Sequence, residues 1–261
     1  MNENKNYMPI LNNAKIVLHD LKVSYQENYK LFISIISSFM LVFLIRSALA
    51  LLDSIFVIDE YPLQRILFMV SSTCLIIGLE IGFTKTILKG LDKEKVFITD
   101  IFNYFHLLMK YIYGLLLFYG TIILIIMPAL IALYFQFDGE FLTMIYSSID
   151  DPYYQELIYS YLDLKIISIL VLLLIIPTIY LSTRLMFWSY FVIDKEMNGY
   201  EAIKNSFLIS KNKIHEIIFY LFLILLFNLI GLLSIIGICF TIPLTYMFLC
   251  KYYRLLLQNT N

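Results

Sequence analysis

Three ionisable residues interrupt or border otherwise apolar runs, and any chemistry inside this chain would start there: Arg46, Glu80 and Arg184. A charge at mid-bilayer costs about 2.5–3.5 kcal/mol on an insertion scale, so such a residue is a functional candidate unless depth or a partner relieves it. Arg46 lies six residues before Leu52, about 9 Å along a helix, and can snorkel toward Asp53. Glu80 and Arg184 fall at similar depths near the basic ends of their runs. Gly78 and Gly82 flank Glu80 at a small-xxx-small spacing that admits a neighbouring helix. A buried ion pair Glu80–Arg184 is the sharp reading. The other is that Arg184 reaches lipid phosphates while Glu80 stays neutral.

Other constellations are weaker. The histidines, His19, His106 and His215, are far apart and form no His-x-x-x-His, so no metal site is expected. Cys74, Cys239 and Cys250 sit in apolar runs without a Cys-x-x-Cys pair and read as small hydrophobes. Serines such as Ser37, Ser38, Ser71 and Ser72 have no base at their depth and read as close-packing residues. No P-loop or other glycine-rich phosphate cradle occurs. Neither a cofactor nor enzymatic activity is expected.

The elements that must position these residues are membrane helices. Of 261 residues, 61% are hydrophobic and 15% charged, and the mean hydropathy is +0.81. Soluble domains run nearer 45–50% apolar and 25% charged. The net charge of −1 argues against a nucleic-acid partner. Six stretches approach the ~20 apolar residues a crossing needs: Leu31–Leu52, Ile66–Thr84, Leu107–Tyr134, Ile166–Tyr190, Ile217–Leu233 and Ile235–Cys250. Ser234 and Gly237 leave room for a tight turn, so the last two are expected as a helical hairpin. The first 30 residues show no cleavable signal pattern, and the first span is expected to direct insertion. This makes the fold all-α: a polytopic six-helix membrane domain over 31–254, preceded by an amphipathic cytoplasmic segment over 1–30 and followed by a tail over 255–261.

Orientation follows from charge. Four lysines precede the first span, five basic residues lie in 85–110, five in 184–216 and two, Lys251 and Arg254, just after the last span, together 16 of the chain's 19. The intervening loops, 53–65 and 135–165, are acidic. Excess Lys and Arg marks the cytoplasmic side, which places both termini there.

The two inner loops resemble each other. Leu91-Asp92-Lys93-Glu94 and Ile193-Asp194-Lys195-Glu196 each precede an amphipathic stretch and then a span. Phe97, Ile98, Ile101, Phe102 and Phe105 make one apolar stripe; Tyr200, Ile203 and Phe207 make the other. The pattern predicts a parallel repeat of span, surface helix and span, with membrane-parallel helices over 92–105 and 194–207. Ala14, Leu18, Leu21 and Tyr25 predict a third surface helix.

The stretch Arg184-Leu-Met-Phe-Trp-Ser-Tyr-Phe-Val-Ile-Asp, then Glu201-Ala202-Ile-Lys-Asn-Ser206, Asn228-Leu-Ile-Gly231, Ile236-Gly237 and Ile242-Pro243-Leu-Thr-Tyr246 resembles the YciC-like group of bacterial inner-membrane proteins. Relatives of that group include the membrane domain of some glycerophosphodiester phosphodiesterases. The match is best over residues 180–254, and over 75–135 only the layout agrees. It implies a six-helix bundle in the bacterial cytoplasmic membrane and little about activity. No soluble phosphodiesterase domain is present in this chain.

Pro128, Pro177 and Pro243 interrupt three spans, where proline removes a backbone hydrogen bond. They fit either a plain bundle or one opened around a cavity. The tyrosines of the 135–165 loop, among them Tyr146, Tyr153 and Tyr154, suit the headgroup level or a partner surface. The expected function is a non-enzymatic accessory or scaffold protein that binds lipid or another membrane protein. The alternative is a small transporter or flippase-like carrier. Its polar cavity would lie near Glu80 and Arg184, with Asn228, Thr241, Pro177 and Pro243 as cavity or packing residues.

Overall fold

The computed structural model describes residues 13–23, 29–55, 62–136 and 164–258. Tyr25, residues 56–61 of the 53–65 loop and nearly all of the tyrosine-rich 135–165 loop lie outside them. Every regular element among the described residues is helical. In chain order these are α1 (13–23), α2 (Tyr29–Ile55), α3 (Pro62–Leu91), two short 3-10 helices (Ile98–Phe102 and Phe105–Leu107), α4 (Leu108–Gln136), α5 (Leu164–Leu185), α6 (Trp188–Lys195), α7 (Gly199–Ile209), α8 (Ile214–Leu232) and α9 (Ile235–Gln258). Among the described residues five stretches are long and apolar enough to cross a membrane: Tyr29–Ser54, Leu63–Leu91, Ile98–Pro128, Leu172–Lys195 and Ile214–Leu232.

The chain divides into two compact units, Met1–Gly114 with Phe187–Asn261, and Leu115–Met186. In the first, α2 packs along α3, α8 along α9, and α9 touches both α2 and α3. The α8–α9 turn forms as its residues dictate. The Ser234 hydroxyl accepts the Gly237 N–H at 3.1 Å, an N-cap for α9. On the facing helix, Gly231 leaves space that the Thr241 side chain fills. The second unit holds most of α4 and all of α5, with Pro128 and Pro177 inside them. There Thr121 and Thr183 return their hydroxyls to Phe118 O and Ile179 O, both at 2.7 Å, so neither presents a bare polar group to apolar surroundings.

Burial in the first unit is lopsided. One end gathers Leu79, Ile81, Ile87 and Leu88 of α3, Phe187, Phe191, Val192 and Ile193 at α6, and Tyr252, Tyr253 and Leu256 of α9, all at most 4% exposed. Toward the other ends of the helices, Leu51, Leu63, Leu67 and Leu233 are 61–89% exposed. Apolar surface left open on this scale along apolar helices fits a lipid surround.

Two expectations need correction. The fourth apolar run is not one helix to Tyr190: it ends at Leu185, turns at 186–187 and resumes as α6. The turn exposes a backbone donor, which the chain satisfies from far away, Phe187 N–H donating to the buried Ser206 Oγ at 3.0 Å. Nor is 92–105 a surface α-helix. Residues 94–97 lack helix and only the 3-10 helices follow. Asp100 explains this locally. Its carboxylate accepts the Phe97 N–H at 3.2 Å and the Asn103 amide at 3.3 Å, offering the backbone an alternative to an α-helix. The second helix does not run over 194–207 either: Asp194 belongs to α6, 196–198 are not helical, and α7 covers Gly199–Ile209 and buries Ala202, Ser206 and Ile209.

Candidate functional site

Glu80 is met by Arg46: the guanidinium Nη1 donates to Glu80 Oε1 at 3.3 Å, joining α2 to α3. Arg46 therefore does not simply reach outward to Asp53. The small-residue window beside Glu80 is also used differently from expectation. A Cβ on Gly82 would strike the Ile101 carbonyl, and one on Gly78 the Phe105 ring, so these glycines admit the 3-10 segment. Arg184 belongs to the other unit, where it ends α5 and is buried, 5% exposed.

The matched aspartates converge. Arg254, near the end of α9, donates to Asp92 at 2.5 Å and to both oxygens of Asp194 at 2.7 and 2.9 Å. Lys85 Nζ donates to the Asp194 carbonyl at 3.0 Å, and Tyr253 OH to its carboxylate at 3.4 Å. Asp194 sits in the last turn of α6, where the helix dipole disfavours an anion, and the arginine fork offsets that. In the sequence Arg254 stands out only as one of the basic residues that mark the cytoplasmic side. Its place in the last turns of the last span, opposite two equivalent acids, was the available signal.

A second charged cluster fastens α1. Glu216, 5% exposed at the start of α8, accepts from Asn13 at 2.8 Å, Tyr220 at 3.2 Å and Lys213 at 3.2 Å. Lys251 of α9 meets Asp20 of α1 at 3.1 Å. Ala14 and Val17 are the buried face of α1, and Leu18, named in the apolar stripe of a surface helix, is 58% exposed.

Leu18 instead borders an apolar groove of about 790 Å³. Leu21 of α1, Phe32 and Ile36 of α2, Phe227 of α8 and Leu244 and Phe248 of α9 also line it. Lys22 is its charged lining residue, with Tyr29 nearby on the same lining. Counting along α8 from Ile214, Phe227 lies about 20 Å along the helix. None of Glu80, Arg184, Asn228, Thr241, Pro177 or Pro243 lines it, so this groove is not the polar cavity expected around those residues. Among the described residues, Asn228 Oδ1 and Thr241 Oγ1 are buried without hydrogen-bond partners. His19 lies 4.0 Å from Asp20 and His106 4.0 Å from Glu196. Among the described residues no three His, Cys, Asp or Glu side chains gather as a metal site. No family model, curated protein or solved structure matches the chain.

Proposed function

We propose that this protein is a lipid-binding accessory protein of the bacterial cytoplasmic membrane, acting without catalysis. It crosses six times, with α9 as the sixth span and both termini in the cytoplasm. The observation that carries the reading is the groove: an almost wholly apolar cleft among α1, α2, α8 and α9, three of them long enough to span a bilayer. Acyl chains are the apolar solute at hand in that setting, and a cleft lined by Phe and Leu takes them without a desolvation cost. The resemblance of residues 180–254 to the YciC-like group and the 16-of-19 basic asymmetry support the placement and topology.

The test fills the groove. Leu244→Trp should lower phospholipid copurified with the detergent-solubilised protein, counted by native mass spectrometry, while the fold survives. Unchanged lipid stoichiometry in a folded Leu244→Trp protein sinks the reading. For the topology, an alkaline-phosphatase fusion after residue 258 should be inactive, and activity there rules out a cytoplasmic C-terminus.

A carrier is the second reading, favoured by the Arg46–Glu80 pair, a charge pair between two spans with side chains 63% and 43% exposed. In reconstituted vesicles a carrier would accelerate transbilayer movement of a fluorescent phospholipid, and Glu80→Gln would abolish it. A wild-type rate equal to that of empty vesicles dismisses this reading.

A further inference from the structure

We propose that the groove selects an anionic phospholipid, with one acyl chain along the α2, α8 and α9 side chains and the phosphate at Lys22. The inference rests on the lipid-binding reading above and adds the headgroup class. Lys22 is the one charged residue on the groove's lining, and Tyr29 and Thr245 carry its other polar side-chain groups. Phe227, Phe240 and Leu244 line it within the spans, whereas Lys22 belongs to α1. Asn13–Glu216 and Asp20–Lys251 fasten α1 beside the first turn of α8 and the last turns of α9, which puts the lysine at the groove's mouth. This is the arrangement one lipid presents in reverse: an apolar tail capped by a charge.

The neighbouring acids do not neutralise Lys22. Asp20 is taken by Lys251 at 3.1 Å and Glu216 by Lys213 at 3.2 Å. Among the described residues Lys22 has no acidic partner. Lys15 and Lys30 are also exposed on α1 and the first turn of α2, so the local field favours an anion. A lysine at a membrane surface attracts an anionic headgroup with an energy equivalent to about a fivefold preference.

Phosphatidylglycerol and phosphatidylcholine with identical dioleoyl chains separate headgroup from tail. Titrated into the full-length protein in detergent and read by native mass spectrometry, wild type should prefer phosphatidylglycerol about fivefold. That preference should shrink as salt rises from 50 to 500 mM, because an exposed charge is screened. Lys22→Gln should bring phosphatidylglycerol down to the phosphatidylcholine level, Lys22→Arg should restore it, and Lys204→Gln on exposed α7 should change nothing. An unmelted Trp188 fluorescence profile checks that the variants are folded. A preference that survives Lys22→Gln, or equal affinities in wild type, overturns the headgroup assignment and leaves lipid binding standing. Binding of neither lipid, or a dimer that excludes both, overturns the lipid-binding reading itself.

Discussion

The same three residues, Asp-Lys-Glu, stand where α3 and α6 end, and different structures follow them. Asp92 and Asp194 both contact Arg254, yet Asp194 is 6% exposed in its side chain and Asp92 47%. The difference begins in register. Asp194 belongs to the last turn of α6, with the left-handed residue at Glu196 (φ 53°). Asp92 already lies past the end of α3, with the left-handed residue at Lys93 (φ 63°). A two-residue shift in where the helix stops, and a one-residue shift of the left-handed residue, accompany one carboxylate in the core and its counterpart at the rim. A repeated motif thus sets which residues meet, while the local helix end sets what the meeting contributes.

The largest effect expected from this comparison is at Arg254. Replacement by Ala leaves buried Asp194 with Tyr253 and, at 3.8 Å, the half-exposed Lys195 in place of its fork, and removing one partner of a buried pair costs about 3–5 kcal/mol. Thermal or denaturant unfolding in detergent, followed through the buried Trp188, the chain's single tryptophan, measures it. A loss under about 1 kcal/mol would mean the cluster behaves as a surface pair, and the contrast between the two aspartates would collapse.

An intermediate effect is expected where the first linker lies on α3. Gly82→Val drives a side chain into the Ile101 backbone carbonyl, which has no rotamer to escape through. Overpacking of this kind costs about 1–3 kcal/mol. Gly78→Ala meets only the Phe105 ring, which can swing, and should cost less. Equal losses at the two positions would show that the 3-10 segment is not held by close backbone approach.

These contrasts separate what hydropathy reveals from what it hides. Helix boundaries near Leu31, Leu107 and Ile235 were legible because apolar runs and the Ser234 turn mark them directly. The break at 186–187 was not, since Phe187, Trp188, Tyr190 and Phe191 continue the apolar run and the hydroxyl that satisfies the turn is 19 residues away. Arg46 reads as snorkelling toward Asp53 because Asp53 is the nearest acid in sequence, whereas its observed partner is 34 residues on. The groove escaped notice for a different reason. Phe32, Phe227 and Phe248 line it, and a lipid-facing surface would use the same residue types, so composition cannot separate a cleft from a wall.

The smallest effect, and the most discriminating, is at Asp92. Its carboxylate touches Arg254 at 2.5 Å, closer than Asp194 does, so distance alone would rank it first. Exposure argues the opposite. A carboxylate open to water regains hydration when its partner is lost, and such pairs contribute about 0–1 kcal/mol. Asp92→Ala should therefore destabilise by less than about 1 kcal/mol, while Asp194→Ala leaves a largely buried guanidinium short of two acceptors and costs several times more. Combining Asp92→Ala with Arg254→Ala should add almost nothing to Arg254→Ala alone, because the exposed aspartate has then lost its partner already. A loss at Asp92 that matches Asp194 would place proximity above burial as the controlling variable. It would also make the two linkers energetic equals despite their different folds.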